Sequence, residues 1–175
     1  MEKFLYVCVK SKDGVDVPER AFLSKESAMR WMRSEFLRIK NDTGLGNKDF
    51  EWDDDNSTLI GLDGRLATFW KKEVHCISSR EIALKVWKVP FDAGSLPEVF
   101  VCQTETEECT YVSGIVADLE SAREWIRNKF VEHRDENGTD NEDYDWNNDP
   151  DRGEWDCIYT LDRASWLVMR LGVTG

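Results

Sequence analysis

The stretch SKESAMRWMRSEF, residues 24–36, returns later in the chain as DLESAREWIRNKF, residues 118–130. The same offset of 94 residues aligns 4–55 with 98–149 without a gap, with 13 identities in 52 positions. Two tryptophans 21 residues apart recur in each copy: Trp31 and Trp52, then Trp125 and Trp146. Self-similarity at a fixed period indicates a repeat architecture. We therefore infer that the chain is a tandem duplication.

Each copy predicts the same elements in the same order. Ser24 and Asp118 are suitable N-caps for a helix, and Gly44 and Gly138 mark its end. A β-rich run precedes each helix, and two β-rich runs follow it. The predicted fold class is α+β: a duplicated β-α-β-β unit, with antiparallel sheets each covered by one helix in a pseudo-two-fold arrangement. The predicted boundaries are 1–90 for the first repeat, 91–97 for the linker and 98–175 for the second repeat.

Apolar residues at helical spacing predict the faces that the helices bury. Four aromatic residues lie on these stripes: Trp31, Phe36, Trp125 and Phe130. We expect all four to be largely buried between helix and sheet.

The net charge of -12 for 175 residues disfavours free nucleic acid as the main ligand, because phosphates would be repelled. The charge is concentrated: residues 41–64 carry -6 and residues 135–156 carry -9. One interpretation is that these segments are solvated loops that keep the protein soluble. The other is that they form two acidic lobes that dock on a basic surface. A calcium site fails, because the EF-hand pattern from Asp135 has its glycine at the wrong position and Trp146 where a glutamate is required.

The docking interpretation predicts partner-binding carboxylates in both copies: Asp53, Asp54, Asp55, Asp143, Asp145, Asp149 and Asp151. Trp52 and Trp146 are possible aromatic contacts, because each alternates with acidic residues. On a strand, such alternation places rings on one face and carboxylates on the other. The rings then either belong to the core or form a cage for a cationic side chain.

Catalytic and cofactor signatures are weak, and we predict no enzymatic activity, no cofactor and no metal. The two histidines, His75 and His133, are not related by the repeat, and no Cys-x-x-Cys pair suggests zinc. Cys109 has no counterpart in the other copy and could be a free surface thiol. No apolar stretch approaches the length of a membrane span, and the five scattered cysteines favour a reducing cytoplasm.

Size, acidity and the Ser/Asp-x-x-Ser-Ala helix start of both copies give the chain a general resemblance to small acidic inhibitor proteins encoded by phages and mobile elements. Some proteins of that kind, the anti-CRISPR inhibitors among them, occlude basic surfaces of nucleic-acid enzymes. The resemblance implies no particular site residue.

The first functional hypothesis is therefore a non-enzymatic acidic protein that inhibits or regulates a basic, nucleic-acid-handling protein. The alternative is a small-ligand or peptide-binding module that uses a cleft between the two repeats. An enzyme is the third hypothesis, and the oligomeric state stays open.

Overall fold

The computed structural model describes residues 3–12, 15–60, 66–77, 82–91, 96–106, 110–149, 154–159 and 164–175. Seven elements form the first half: β1 (Phe4–Lys12), β2 (Val15–Phe22), α1 (Lys25–Thr43), a 3-10 turn (Asn47–Asp49), β3 (Phe50–Ile60), β4 (Leu66–Cys76) and β5 (Ile82–Pro90). Seven more follow: β6 (Glu98–Glu105), β7 (Thr110–Val116), α2 (Leu119–Asn137), a 3-10 turn (Asn141–Asp143), β8 (Tyr144–Asp149), β9 (Glu154–Tyr159) and β10 (Ser165–Thr174). The order of element types is the same in both halves.

The chain divides into two compact units. Unit 1 comprises Met1–Thr58, Ala67–Pro97 and Gly172–Gly175, and unit 2 comprises Leu59–Leu66 and Glu98–Leu171. The boundary between them falls within β10, after Leu171.

The two helices begin and end through matching local interactions. The Ser24 Oγ accepts the Ser27 N–H at 3.2 Å, and the Asp118 Oδ1 accepts the Ser121 N–H at 2.8 Å. These bonds satisfy one of the free N–H groups at each helix start. Both helices end at a glycine with a left-handed φ, +71° at Gly44 and +62° at Gly138, a conformation that strains other residues. The helix bounds are therefore 94 residues apart at both ends.

The strands next to each helix also match. In unit 1, β1 pairs antiparallel with β2 and β5, and its register against β2 shifts between Cys8 and Val9. In unit 2, β6 pairs antiparallel with β7, and the register shifts between Cys102 and Gln103, which are 94 residues further on. A β-bulge thus lies at the same position in both halves.

Each unit has its own helix-covered core. In unit 1, Ala28, Met32 and Ile39 of α1 pack in one cluster with strand residues, which are Cys8, Phe50, Val74, Cys76, Leu84 and Val86. In unit 2, Ala122, Trp125 and Ile126 of α2 pack with Phe100, Cys102, Tyr144, Cys157, Trp166 and Val168. Burial of this apolar surface is the main favourable contribution to folding.

The predicted fold class is wrong. Within the residues that the structure describes there are ten strands and two α-helices. In unit 1 the strands follow the order β3-β4-β5-β1-β2, and in unit 2 β6 pairs with β7, β8 with β9 and β9 with β10. The protein is therefore mostly β, and the predicted α+β class does not hold. The end of β10 contributes a parallel pairing, because Val173 and Thr174 lie opposite Ala21 and Phe22 of β2.

The predicted β-α-β-β unit was also too short. Each half has two strands before its helix and three after it. A second strand before the helix was uncertain in the sequence because β2 contains Pro18 and the charged residues Asp16, Glu19 and Arg20. The third strand was missed because β3 contains Asp53, Asp54 and Asp55, which are poor strand formers.

The expected burial of the four aromatic residues holds for one of them. Trp125 is 6% exposed, whereas Trp31, Phe36 and Phe130 are only half-buried. In α1 the centre of the buried stripe is formed by Ala28 and Met32, both fully buried, so Trp31 lies at its edge.

Candidate functional site

The predicted acidic lobes lie on strands and turns. Asp53, Asp54 and Asp55 belong to β3, and Asp145 belongs to β8. The four side chains are exposed. The interpretation of these particular residues as loop residues is therefore corrected: the carboxylates project from extended backbone, where successive side chains point to opposite faces.

Strand alternation separates the three consecutive aspartates of β3. Asp54 accepts hydrogen bonds from the Trp70 Nε1 at 2.7 Å and from the Lys72 Nζ at 3.3 Å. The bond from Trp70 and that from Lys72 lower the pKa of Asp54 below its ordinary value. Asp54 is thus engaged within its own unit.

Asp53 and Asp55 alternate with Asp54 along β3, and their charges affect the pKa of a different lysine, Lys71. Burial alone would lower the pKa of Lys71, but the hydrogen bond to Glu73 and the fields of Asp55 and Asp53 outweigh it, and the pKa is raised. Lys71 also forms an ion pair with Glu73 at 2.8 Å. The three aspartates therefore do not form a single patch.

In unit 2, the predicted carboxylates have different local roles. The Asp143 Oδ2 accepts the Asp140 N–H at 2.9 Å, which closes the 3-10 turn before β8. Asp49 makes the matching bond from Gly46 at 2.7 Å in unit 1. The backbone of Asp149 ends β8, and Asp151 lies outside the described residues.

The aromatic residues form a cluster in unit 1 that we call platform 1, comprising Phe36, Phe50 and Trp52. The Phe36 ring meets Phe50 edge-on at 5.0 Å between centroids and 82°, and meets Trp52 at 5.1 Å and 68°. Edge-to-face contacts of this kind are favourable beyond the area that they bury. Phe36 thereby holds Trp52 against the helix while Phe50 is buried in the core.

Unit 2 contains the same arrangement, platform 2, comprising Phe130, Tyr144 and Trp146. The Phe130 ring meets Tyr144 at 4.8 Å and 88°, and meets Trp146 at 5.4 Å and 67°. All three positions are 94 residues beyond those of platform 1. The buried Tyr144 hydroxyl lies 2.8 Å from both His133 Nδ1 and Thr139 Oγ1, which fixes the base of the platform.

A cation is placed over the phenylalanine of each platform. The Lys40 Nζ lies 5.7 Å from the Phe36 centroid, and the Arg134 Cζ lies 5.4 Å from that of Phe130. Lys40 donates to the Asn47 Oδ1 at 2.5 Å, and Arg134 bonds the equivalent Asn141 at 3.2 Å. Both platforms thus already have cation–π geometry.

The outer ring of each platform is exposed. Trp52 is 42% exposed and Trp146 is 50% exposed, whereas the buried base residues Phe50 and Tyr144 are 7% and 5% exposed. The alternative that Trp52 and Trp146 belong to the core is therefore wrong. Rigidly held, exposed tryptophans with carboxylates in the adjacent sequence suit a partner that brings Lys or Arg and apolar surface.

One further pair of equivalent residues was not predicted from the sequence. Leu37 is 57% exposed and Val131 is 41% exposed, and they follow the platform residues Phe36 and Phe130 in their helices. The 94-residue register could have identified them, because it aligns two apolar residues on the polar side of each helix. Exposed apolar residues in matching positions extend the apolar surface that each unit presents.

The four cysteines that the structure describes are buried thiols. Cys8, Cys76, Cys102 and Cys157 form no disulfide bond, and burial raises the pKa of the Cys8 and Cys102 thiols, which keeps them protonated. Cys109 lies outside the described residues. Across the described ranges, no group of three or more His, Cys, Asp or Glu is arranged to hold a metal ion. Neither described helix combines the length and apolar character needed to cross a membrane.

Comparisons of this chain with protein-family models, with curated proteins and with solved structures gave no match.

Proposed function

We propose that this protein is a non-enzymatic binding protein that docks on a basic surface of a protein partner and thereby inhibits or regulates it. The observation that carries the proposal is the pair of exposed tryptophans, Trp52 and Trp146, held in the same ring geometry in the two units. An inhibitor of a nucleic-acid-handling enzyme, in the manner of anti-CRISPR proteins, is the specific form that we favour.

The tryptophans and the carboxylates would contribute to binding in different ways. A tryptophan that is already fixed by edge-to-face packing loses little conformational entropy on binding, and tryptophans are frequent among the residues that dominate interfaces. Exposed carboxylates such as Glu51, Asp53 and Asp145 lie next to these rings in the sequence, and strand alternation directs them to the opposite face. Such charges act on an approaching partner over about 8 Å at physiological salt. The rings would supply contact area, and the carboxylates would raise the association rate with a basic partner.

Four buried cysteines that are not in disulfide bonds support the further proposal that the protein acts in the cytoplasm, where thiols stay reduced. The alternative function, a ligand or peptide module between the repeats, stays a prediction.

The experiment first identifies the partner by affinity capture from the native host with two baits, the wild-type protein and the Trp52→Ala/Trp146→Ala double variant. Proteins retained by the wild type alone are candidates, and binding to the purified candidate is then measured by titration calorimetry. We expect the double variant to lose about 700-fold in affinity or more, because truncation of such residues costs about 2 kcal/mol or more each. Thermal unfolding of the variant checks that the fold is retained.

The contribution of charge is tested with Asp53→Asn, Asp55→Asn and Asp145→Asn together, at low and moderate salt. We expect a lower association rate and a shallower salt dependence. The control is Asp42→Asn, which removes an exposed carboxylate that pairs with Arg38 on α1. Equal affinities for the wild type and the tryptophan double variant would contradict the proposal, and an effect of Asp42→Asn equal to that of the triple variant would contradict the role of the strand carboxylates.

A further inference from the structure

Unit 1 also contains an open cleft along the first half of α1. The cleft has a volume of about 590 Å³ and is lined by Lys25, Glu26, Met29, Arg30 and Arg33. This volume falls within the range of sites for small organic ligands, about 300–1,000 Å³. Among the described lining side chains, three are cationic and one, Glu26, is acidic, in a protein whose net charge is -12.

Two of the three cations contact uncharged groups. The Lys25 Nζ lies 4.1 Å above the Trp70 ring, and Arg30 donates to the Ser27 Oγ at 3.1 Å. Among the residues that the structure describes, Lys25, Arg30 and Arg33 form no ion pair with an acid within 4.0 Å, although Lys25 also acts on the carboxylate of Asp54 and lowers its pKa. The positive charges of Arg30 and Arg33 are therefore the ones most available to a ligand in the cleft.

The corresponding wall of α2 lacks this charge. The residues 94 positions beyond Lys25 and Arg30 are Leu119 and Glu124. Arg123 takes the place of Met29 and pairs with Glu120 at 2.9 Å. Of the three cations, only Arg33 has a basic counterpart, Arg127. The cationic wall is thus specific to the first copy, although the helices match in length, caps and core.

The spacing of the cations indicates a ligand with more than one anionic group. Lys25 and Arg33 are eight residues apart, which is about 12 Å along a helix at about 1.5 Å per residue. Guanidinium groups bind phosphate oxygens in a bidentate manner, and Met29 offers an apolar contact between them. The net charge of -12 would repel an extended polyanion, so a compact ligand is favoured.

We propose that this cleft binds a small organic molecule with two or more phosphate groups, of the class of the nucleoside diphosphates. Arg30 and Arg33 bind the phosphates, Lys25 adds a third positive charge, and Met29 contacts the apolar part. This site is independent of the two platforms and of the proposed partner.

Titration calorimetry of the purified full-length chain with adenosine, AMP and ADP tests the site. We expect affinity to rise with each phosphate and to fall with added salt. Arg33→Gln should weaken ADP binding about tenfold or more, since a lost charge-assisted hydrogen bond costs about 1.5–3 kcal/mol. Arg30→Gln should have a similar effect. The matched control, Arg127→Gln on α2, should leave ADP affinity unchanged, as should Trp52→Ala.

Three results would overturn the proposal. The first is that ADP at millimolar concentration gives no binding heat and shifts no backbone amide resonance of α1. The second is that adenosine binds as tightly as ADP. The third is that Arg127→Gln weakens ADP binding as much as Arg33→Gln, which would show diffuse attraction in place of a site. Arg33 is exposed, so its replacement does not threaten the fold, and thermal unfolding verifies this.

Discussion

Trp31 and Trp125 occupy the same position in the two helices but differ in burial, and this difference predicts different costs of truncation. A tryptophan buries about 200 Å², which at about 25 cal/mol per Å² corresponds to about 5 kcal/mol. Trp125 is 6% exposed, and its Nε1 is buried without a hydrogen-bond partner among the described residues. That unpaired donor costs about 1–3 kcal/mol in the native protein, and truncation removes it.

We therefore expect Trp125→Ala to lower the free energy of unfolding by about 2–4 kcal/mol, less than its area alone implies. Trp31 is half-buried at the edge of the stripe, so Trp31→Ala should cost about 1–2 kcal/mol. Trp125→Phe should cost less than about 1.5 kcal/mol, because it keeps most of the ring and removes the unpaired N–H.

The assay is urea unfolding of the three variants and the wild type, followed by far-UV circular dichroism. Midpoints are compared only where the slope with urea is unchanged, because a changed slope signals an altered denatured state or a lost two-state transition. A loss of less than about 1 kcal/mol in the free energy of unfolding for Trp125→Ala would contradict this prediction, because truncating a large buried aromatic residue costs more. A larger cost for Trp31→Ala than for Trp125→Ala would also refute it, because burial would then not determine the difference.

Three other predictions concern the helix ends and the thiols. Gly44→Ala should cost about 1–2 kcal/mol in urea unfolding because its φ is +71°, whereas Gly172→Ala, with open space in β10, should stay within about 0.5 kcal/mol of wild type. Asp118→Ala should lower Tm at pH 7, and this effect should shrink below about pH 4. A backbone hydrogen bond from Ser121 lowers the pKa of Asp118, so the stability that this carboxylate contributes is lost as pH falls through its pKa in the folded protein. The loss from Ser24→Ala should persist in thermal unfolding at every pH, because a hydroxyl carries no such charge. In a Cys109→Ser variant, the four buried cysteines should resist thiol reagents for minutes in buffer and all react in denaturant. A persistent Asp118 effect at low pH, an equal cost for both glycines, or rapid labelling in buffer would contradict the respective prediction.

The helix ends and most of the strands could be predicted from the sequence, because they depend on residues that are close together in the chain. Ser24 and Asp118 cap helices at the predicted residues, and Gly44 and Gly138 end them. The last two strands of each half, β4 and β5 and then β9 and β10, are the two β-rich runs predicted after each helix. Capping and strand patterns depend on a few neighbouring side chains, so a single sequence carries them.

The candidate site was only half readable. The sequence identified Trp52, Trp146 and the acids around them, but it treated the aspartates of each segment as one lobe. Strand alternation separates Asp54 from Asp53 and Asp55, and a turn uses Asp143 as a cap. The sequence shows how many cationic residues α1 carries. Which of them form ion pairs, and which line a cleft, depends on which side chains meet in space.

The 94-residue register, the helix ends and the segregation of charge could be predicted from a single sequence, because each follows from residue identity and spacing along the chain. The strand order, the deeper burial of Trp125 than of Trp31 and the exposure of the platform tryptophans could not. These depend on pairings between distant segments, such as Val173 of β10 beside Ala21 of β2, whose contacts arise only once the chain has folded. The hydrophobic pattern predicts which face of a helix or strand is apolar. Which residues pack against that face depends on the folded chain.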